Sequence, residues 1–122
     1  MSEDPVKLEY KKLSGEYVNK YGQRAILLFE IGVFYEYYEY SDIVTSYDIN
    51  YLSELLQINP ILSENRAQTF KNCPDQLGIH KNCLYQKIKM LCNNGFTVIV
   101  YTTVNEQSKK TDKKKNRHLD RI

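Results

Sequence analysis

The chain has 122 residues, 42% of them hydrophobic, enough to bury the core of one globular domain without disulfides or a structural metal. Its net charge of +2 is too small to hold nucleic acid by electrostatics alone, which needs many phosphates neutralised together. The charge is nevertheless uneven: Lys109, Lys110, Lys113, Lys114, Lys115, Arg117 and Arg121 crowd the last fourteen residues and leave the rest net acidic. No apolar stretch approaches the roughly 18 residues of a membrane span, and the acidic, polar start from Ser2 to Pro5 is unlike a secretory signal. An intracellular chain with no membrane partner is expected, its compartment open. Cys73, Cys83 and Cys92 are odd in number and form no Cys-x-x-Cys pair, so reduced thiols are expected. A metal site assembled from Cys73, His80, Cys83 and His118 fits no standard ligand spacing.

Taken in order, Asp4-Pro5 offers a capping side chain and a proline for the first helical position. Tyr10, Leu13, Tyr17 and Tyr21 then recur at three- and four-residue steps, predicting an amphipathic helix from about Val6 to Tyr21 that closes at Gly22. The nearly continuous apolar run from Ala25 to Ile31 predicts a central strand covered on both faces. Gly32 interrupts it, as at a bulge or a close backbone approach, before Val33-Phe34-Tyr35-Glu36-Tyr37-Tyr38-Glu39-Tyr40. From Ser41 to Leu56, the four-residue steps of Ile43, Tyr47, Tyr51 and Leu55 suit one helix or two short ones. Pro60-Ile61-Leu62 and Gln76-Leu77-Gly78-Ile79 are short strand candidates on either side of a polar excursion containing Arg66 and Lys71. Asn82 can cap a helix carrying Leu84, Ile88 and Leu91 and ending at Asn93-Asn94-Gly95. The β-branched run from Phe96 to Val104 predicts a strand, and Leu119 to Ile122 a last one. The sum is a small α/β domain, a small mixed β-sheet flanked by about three helices.

The segment Phe29-Glu30-Ile31-Gly32-Val33-Phe34-Tyr35-Glu36-Tyr37-Tyr38 resembles the signature of the MutS family of DNA mismatch repair proteins, where a hydrophobic strand runs into Gly-Asp-Phe-Tyr-Glu. Leu77-Gly78-Ile79 with its following helix is similar to the family's Ala-Gly-Ile-Pro segment, and Asn94-Gly95-Phe96-Thr97-Val98 to its Gln-Gly-x-x-Val turn. Arg117-His118-Leu119-Asp120-Arg121-Ile122 is similar to the basic strand that closes the family's amino-terminal domain, so the resemblance covers residues 10 to 122. Val33 stands where the family has an acidic residue, His80-Lys81-Asn82 replaces a Pro-Tyr-His type turn, and the stretch from Ser41 to Cys73 aligns poorly. Such departures fit a divergent member of viral or organellar type. The chain also ends at Ile122 with no helix, cap or tail.

The resemblance implies one mismatch-recognition domain, residues 1–122, of a longer protein. The fragment would be no enzyme and would carry no cofactor. ATP and Mg, together with homodimer contacts, would belong to a distant domain of the longer protein, since no Gly-x-x-x-x-Gly-Lys-Ser/Thr loop occurs here. Its partner would be double-stranded DNA carrying a mismatch.

Within that reading Phe34 is the wedge that stacks on a mispaired base, and Glu36 accepts a hydrogen bond from the displaced base or, facing a ring-nitrogen acceptor, must carry a proton to donate one. Wedging from the minor groove unstacks a step at a cost of a few kcal/mol, and a mispaired base, already poorly stacked, costs less. Arg66, Lys113, Lys114, Lys115, Arg117 and Arg121 are the candidate phosphate contacts.

Two readings from other classes compete. Taken alone, Phe34 is an ordinary core aromatic and Glu36 a solvated edge residue, and the tyrosines 35, 37, 38 and 40 form a protein-binding face. Alternatively, Glu30, Glu36, Glu39 and Asp42 cluster to hold Mg for a nuclease, although no Lys or His stands among them.

Overall fold

The computed structural model describes residues 5–40, 47–62, 74–103 and 117–121, with residue 103 and the last five described by backbone and register alone. Helix α1 spans Pro5–Tyr21 and closes on Gly22, whose φ of 102° only glycine adopts easily and whose N–H reaches the Val18 carbonyl at 2.7 Å. Its deepest side chains are Tyr10, Ser14 and Val18, with Leu13, Tyr17 and Tyr21 packed alongside. The buried stripe is therefore turned from the one its tyrosines mark, because small Ser14 fits under the helix while Tyr17 and Tyr21 reach the rim.

Strand β1, Ala25–Ile31, is buried along nearly its whole length, as expected of a strand covered on both faces. Gly32 is no bulge. With Val33 it makes the two-residue loop of a hairpin, since β2, Phe34–Glu39, returns antiparallel to β1 with Ile31 opposite Phe34. Gly32 has φ 62° and Val33 does not share its sign, the pattern of a type II′ turn, which matches the right-handed twist of the strands.

Strand β3, Asp75–His80, adds to the far side of β2; β4, Thr97–Thr103, runs parallel to β1; and β5, Arg117–Arg121, is antiparallel to β4. Among the described residues the sheet order is β3-β2-β1-β4-β5, a mixed sheet with β1 at its centre.

Helix α2, Ile49–Leu56, starts at Asp48, whose side chain accepts from the Asn50 N–H, and buries Ile49, Leu52 and Leu56. Those positions lie beside the expected stripe; Tyr47 and Leu55 only flank the core, and Ile43 falls outside the described residues. Pro60-Ile61-Leu62 forms no strand: Ile61 alone bridges Gln76, through backbone hydrogen bonds of 2.7 and 2.8 Å.

Helix α3 spans Leu84–Asn93 behind a 3₁₀ turn at Lys81–Cys83. The expected cap is displaced here, because the capping side chain belongs to His80, whose Nδ1 accepts from the Asn82 N–H at 3.1 Å. Ile88 and Leu91 are buried as expected, and Gly95, with φ 87°, turns the chain into β4.

Residues paired across a ladder share a face of the sheet. Leu27, Phe29, Ile31, Phe34, Glu36, Tyr38, Gly78, His80, Ile99 and Tyr101 thus lie on one face, which α1 covers through Tyr10 and Tyr17. Ile26, Leu28, Glu30, Tyr35, Tyr37, Glu39, Leu77 and Ile79 lie on the other, under α2 and α3. No described helix is long and apolar enough to cross a membrane.

Candidate nucleic-acid interface

Strand β2 reads Phe-Tyr-Glu-Tyr-Tyr-Glu, and its burial inverts ordinary expectation. Tyr35, Tyr37 and Tyr38 are buried, as is Tyr40 just beyond, while Phe34, the one ring of the run without a polar group, is 40% exposed. Each tyrosine has a reason to be inside, since a buried hydroxyl must find a partner. The Tyr35 hydroxyl meets Thr102 Oγ1 at 3.3 Å, and that of Tyr37 donates to the Tyr47 carbonyl at 2.8 Å while accepting the Tyr47 N–H at 2.5 Å. Tyr38 donates to Glu36, and Tyr40 to the Lys7 carbonyl at 3.3 Å. These hydroxyls tie β2 to β4, to the Tyr47 backbone before α2 and to α1, and within β2 to Glu36. The exposed tyrosine face expected of a protein-binding strand is absent from residues 35–40.

Phe34 is presented by a rigid mount. The Val33 carbonyl accepts the Lys81 N–H at 2.9 Å, tying the hairpin loop to the end of β3, and Lys81 forms an ion pair with Glu30. The hydrogen bond that the Lys81 ammonium donates to the Glu30 carboxylate holds it above its ordinary pKa of 10.5. Opposite Phe34 in the ladder stands His80, with the two rings edge to face at 5.4 Å and 84°. Gly78 lies beneath, where an added Cβ would come 3.4 Å from Phe34 Cδ1. A glycine inside a strand is the sequence signal for such a close approach, and it was legible in Gly78.

Glu36 sits two residues on, on the same face as Phe34, half-buried and opposite Gly78. One carboxylate oxygen accepts from the Tyr38 hydroxyl. Tyr38, which only the competing protein-binding reading placed on the surface, thereby fixes the direction of the carboxylate.

The acidic cluster proposed for a nuclease does not converge. Glu30 and Glu39 lie on the opposite face of the sheet from Glu36, Glu30 bound to Lys81 and Glu39 accepting the Ile49 N–H at 3.0 Å. Asp42 falls outside the described residues. Of the four-ligand metal set, Cys73 and the side chain of His118 lie outside the described residues, and His80 Nδ1 accepts from the backbone of Asn82, which leaves its Nε2. Among the described residues no three His, Cys, Asp or Glu side chains gather as a ligand group. Cys83 and Cys92 are free thiols.

Of the expected phosphate contacts, Arg66, Lys113, Lys114 and Lys115 lie outside the described residues. Arg117 and Arg121 are in β5, registered opposite Thr103 and Ile99. No protein-family model matches the chain, and a search of curated proteins finds no match.

Proposed function

We propose that this chain reads mispaired bases in double-stranded DNA, with Phe34 as an aromatic wedge and Glu36 as the hydrogen-bonding partner of the displaced base. The observation that carries the reading is the inverted burial of β2: the apolar ring is held out on a clamped hairpin while four tyrosines go inside. A ring kept exposed on a rigid mount loses little conformational entropy on stacking, and stacking on a base contributes roughly 1 to 3 kcal/mol. Because the wedge pays only for unstacking, it favours whichever step is already weak and accepts many kinds of mismatch. Glu36, with one oxygen engaged by Tyr38, has its second oxygen for a base N–H.

The test is binding of matched and mismatched duplexes by the full-length protein that carries this chain. Phe34→Ala should bring mismatch affinity down to the homoduplex level, and Glu36→Gln should tighten homoduplex binding by removing a charge that repels phosphate. Both then lower the mismatch-to-homoduplex ratio by opposite routes. A ratio unchanged in Phe34→Ala returns that ring to the role of a surface-edge aromatic.

A further inference from the structure

Resting on the wedge reading above, we infer that His80 is a third DNA-contacting residue beside Phe34 and Glu36, donating a hydrogen bond from Nε2 to an acceptor on the nucleotide beside the wedge. The Asn82 N–H donates to His80 Nδ1 at 3.1 Å, so Nδ1 carries a lone pair there, and the neutral ring keeps its hydrogen on Nε2. The tautomer is thus fixed by the capping bond and not by chance.

The imidazole is exposed, and no described residue accepts from Nε2. It stands opposite Phe34 in the ladder, ring edge to ring face at 5.4 Å, on the face of the sheet that carries Glu36. Any base stacked on Phe34 therefore lies within a side chain's reach of an oriented N–H donor on one flank and a carboxylate acceptor on the other. The acceptors that duplex DNA offers there are of one chemistry from two sources: base-edge N3 or O2 in the minor groove, and phosphate oxygen. The Lys81 ammonium next in sequence is held by Glu30 on the far face of the sheet, whereas the His80 ring lies against Phe34 itself.

The experiment separates this from a purely structural part for His80. His80→Asn retains a good capping residue, since asparagine is among the best at such positions, but lacks the ring and its distal donor. In the full-length protein it should keep its thermal midpoint and lose roughly two- to tenfold in mismatch affinity, the worth of one hydrogen bond. Two substituted heteroduplexes locate the acceptor: 3-deazaadenine at the pair beside the mismatch removes a minor-groove N3, and a methylphosphonate removes a phosphate charge. One of them should weaken the wild type by the same factor and leave His80→Asn unaffected, naming base edge or phosphate as the source. If both substitutions weaken wild type and His80→Asn equally, His80 makes no contact and the inference is overturned. Phe34→Ala run in parallel keeps the two claims apart. Should Phe34→Ala abolish discrimination while His80→Asn leaves it whole, only the His80 contact fails; should Phe34→Ala have no effect, the wedge reading fails and the contact with it.

Discussion

Phe34→Ala and Phe29→Ala should differ sharply in stability, and the difference tests whether Phe34 belongs to the core. Phe29 is fully buried on β1, in ring contact with Tyr10 at 5.1 Å and Tyr101 at 5.3 Å. Truncating a phenylalanine so enclosed leaves a cavity and costs about 3 to 5 kcal/mol. Phe34 is 40% exposed, with His80 at its edge and Gly78 below, so no closed cavity forms when its ring is removed. Full burial of such a side chain contributes about 1.5 to 3 kcal/mol, and scaling by the buried share gives about 1 to 2 kcal/mol for Phe34→Ala. The functional loss should be larger than so mild a perturbation implies: stacking worth roughly 1 to 3 kcal/mol corresponds to about a 5- to 140-fold drop in mismatch affinity. Urea denaturation followed by circular dichroism measures the stabilities, and fluorescence anisotropy on labelled duplexes the affinities. If Phe34→Ala is destabilised as much as Phe29→Ala, its ring supports the core and the argument from inverted burial collapses.

Gly78→Val places a branched side chain where a Cβ already comes 3.4 Å from Phe34 Cδ1. It should displace the wedge and lower the mismatch ratio severalfold in wild type but not in the Phe34→Ala background; equal losses in both would mean that Gly78 acts elsewhere. Burial raises the phenols of Tyr10, Tyr37 and Tyr101 above their ordinary value of 10.0. The unfolded chain releases these protons near pH 10 while the folded one retains them, so stability is whole below that pH and falls as pH rises above it. In an alkaline absorbance titration three of the eleven tyrosines should ionise only as tertiary structure is lost, and a single transition near pH 10 with the fold intact would refute this. Replacing Lys113, Lys114 and Lys115 with Gln in the full-length protein should weaken matched and mismatched binding equally and flatten the salt dependence, whereas an unchanged salt slope would mark the run as a solvated loop.

The α/β composition, the first and last of the described helices and the central strand were legible because their signals are redundant, whereas the stretch before Leu56 left one helix or two open and its buried stripe lies beside the expected one. β1 is apolar throughout as a doubly covered strand must be, and α3 has stripe and terminal glycine in agreement. What misled was chemistry with two uses. Val33 put an apolar residue into a two-residue loop that usually advertises itself with polar ones, so Gly32 passed for a bulge. Tyrosine counts as surface or core according to whether its hydroxyl finds a partner, and those partners, Thr102, Tyr47 and the Lys7 carbonyl, are 67, 10 and 33 residues away in sequence. Asn82 was the better capping residue on intrinsic preference, but β3 runs on to His80, so the side chain that arrives at the cap first is the histidine.

The candidate site follows from how α1 meets the sheet. Its ring and hydrogen-bond contacts run from Tyr40 and Tyr38 through Leu27 and Phe29 to Tyr101, a line that crosses the sheet and stops short of the β1–β2 loop. A hairpin end left bare in this way could equally carry polar side chains, since a partly exposed ring gains only about 1 to 2 kcal/mol there for folding, less than one in the core. Instead it carries Phe34, above the one residue of β3 small enough to lie beneath the ring, and beside a half-buried carboxylate whose direction is set by a tyrosine from the same strand. The stability of the sheet gains only modestly from that combination. A solvent-facing edge would be as well served by threonine at position 34 and any β-former at position 78; a planar ligand with hydrogen-bonding edges, as proposed above, is what would use the exposed ring and the oriented carboxylate together.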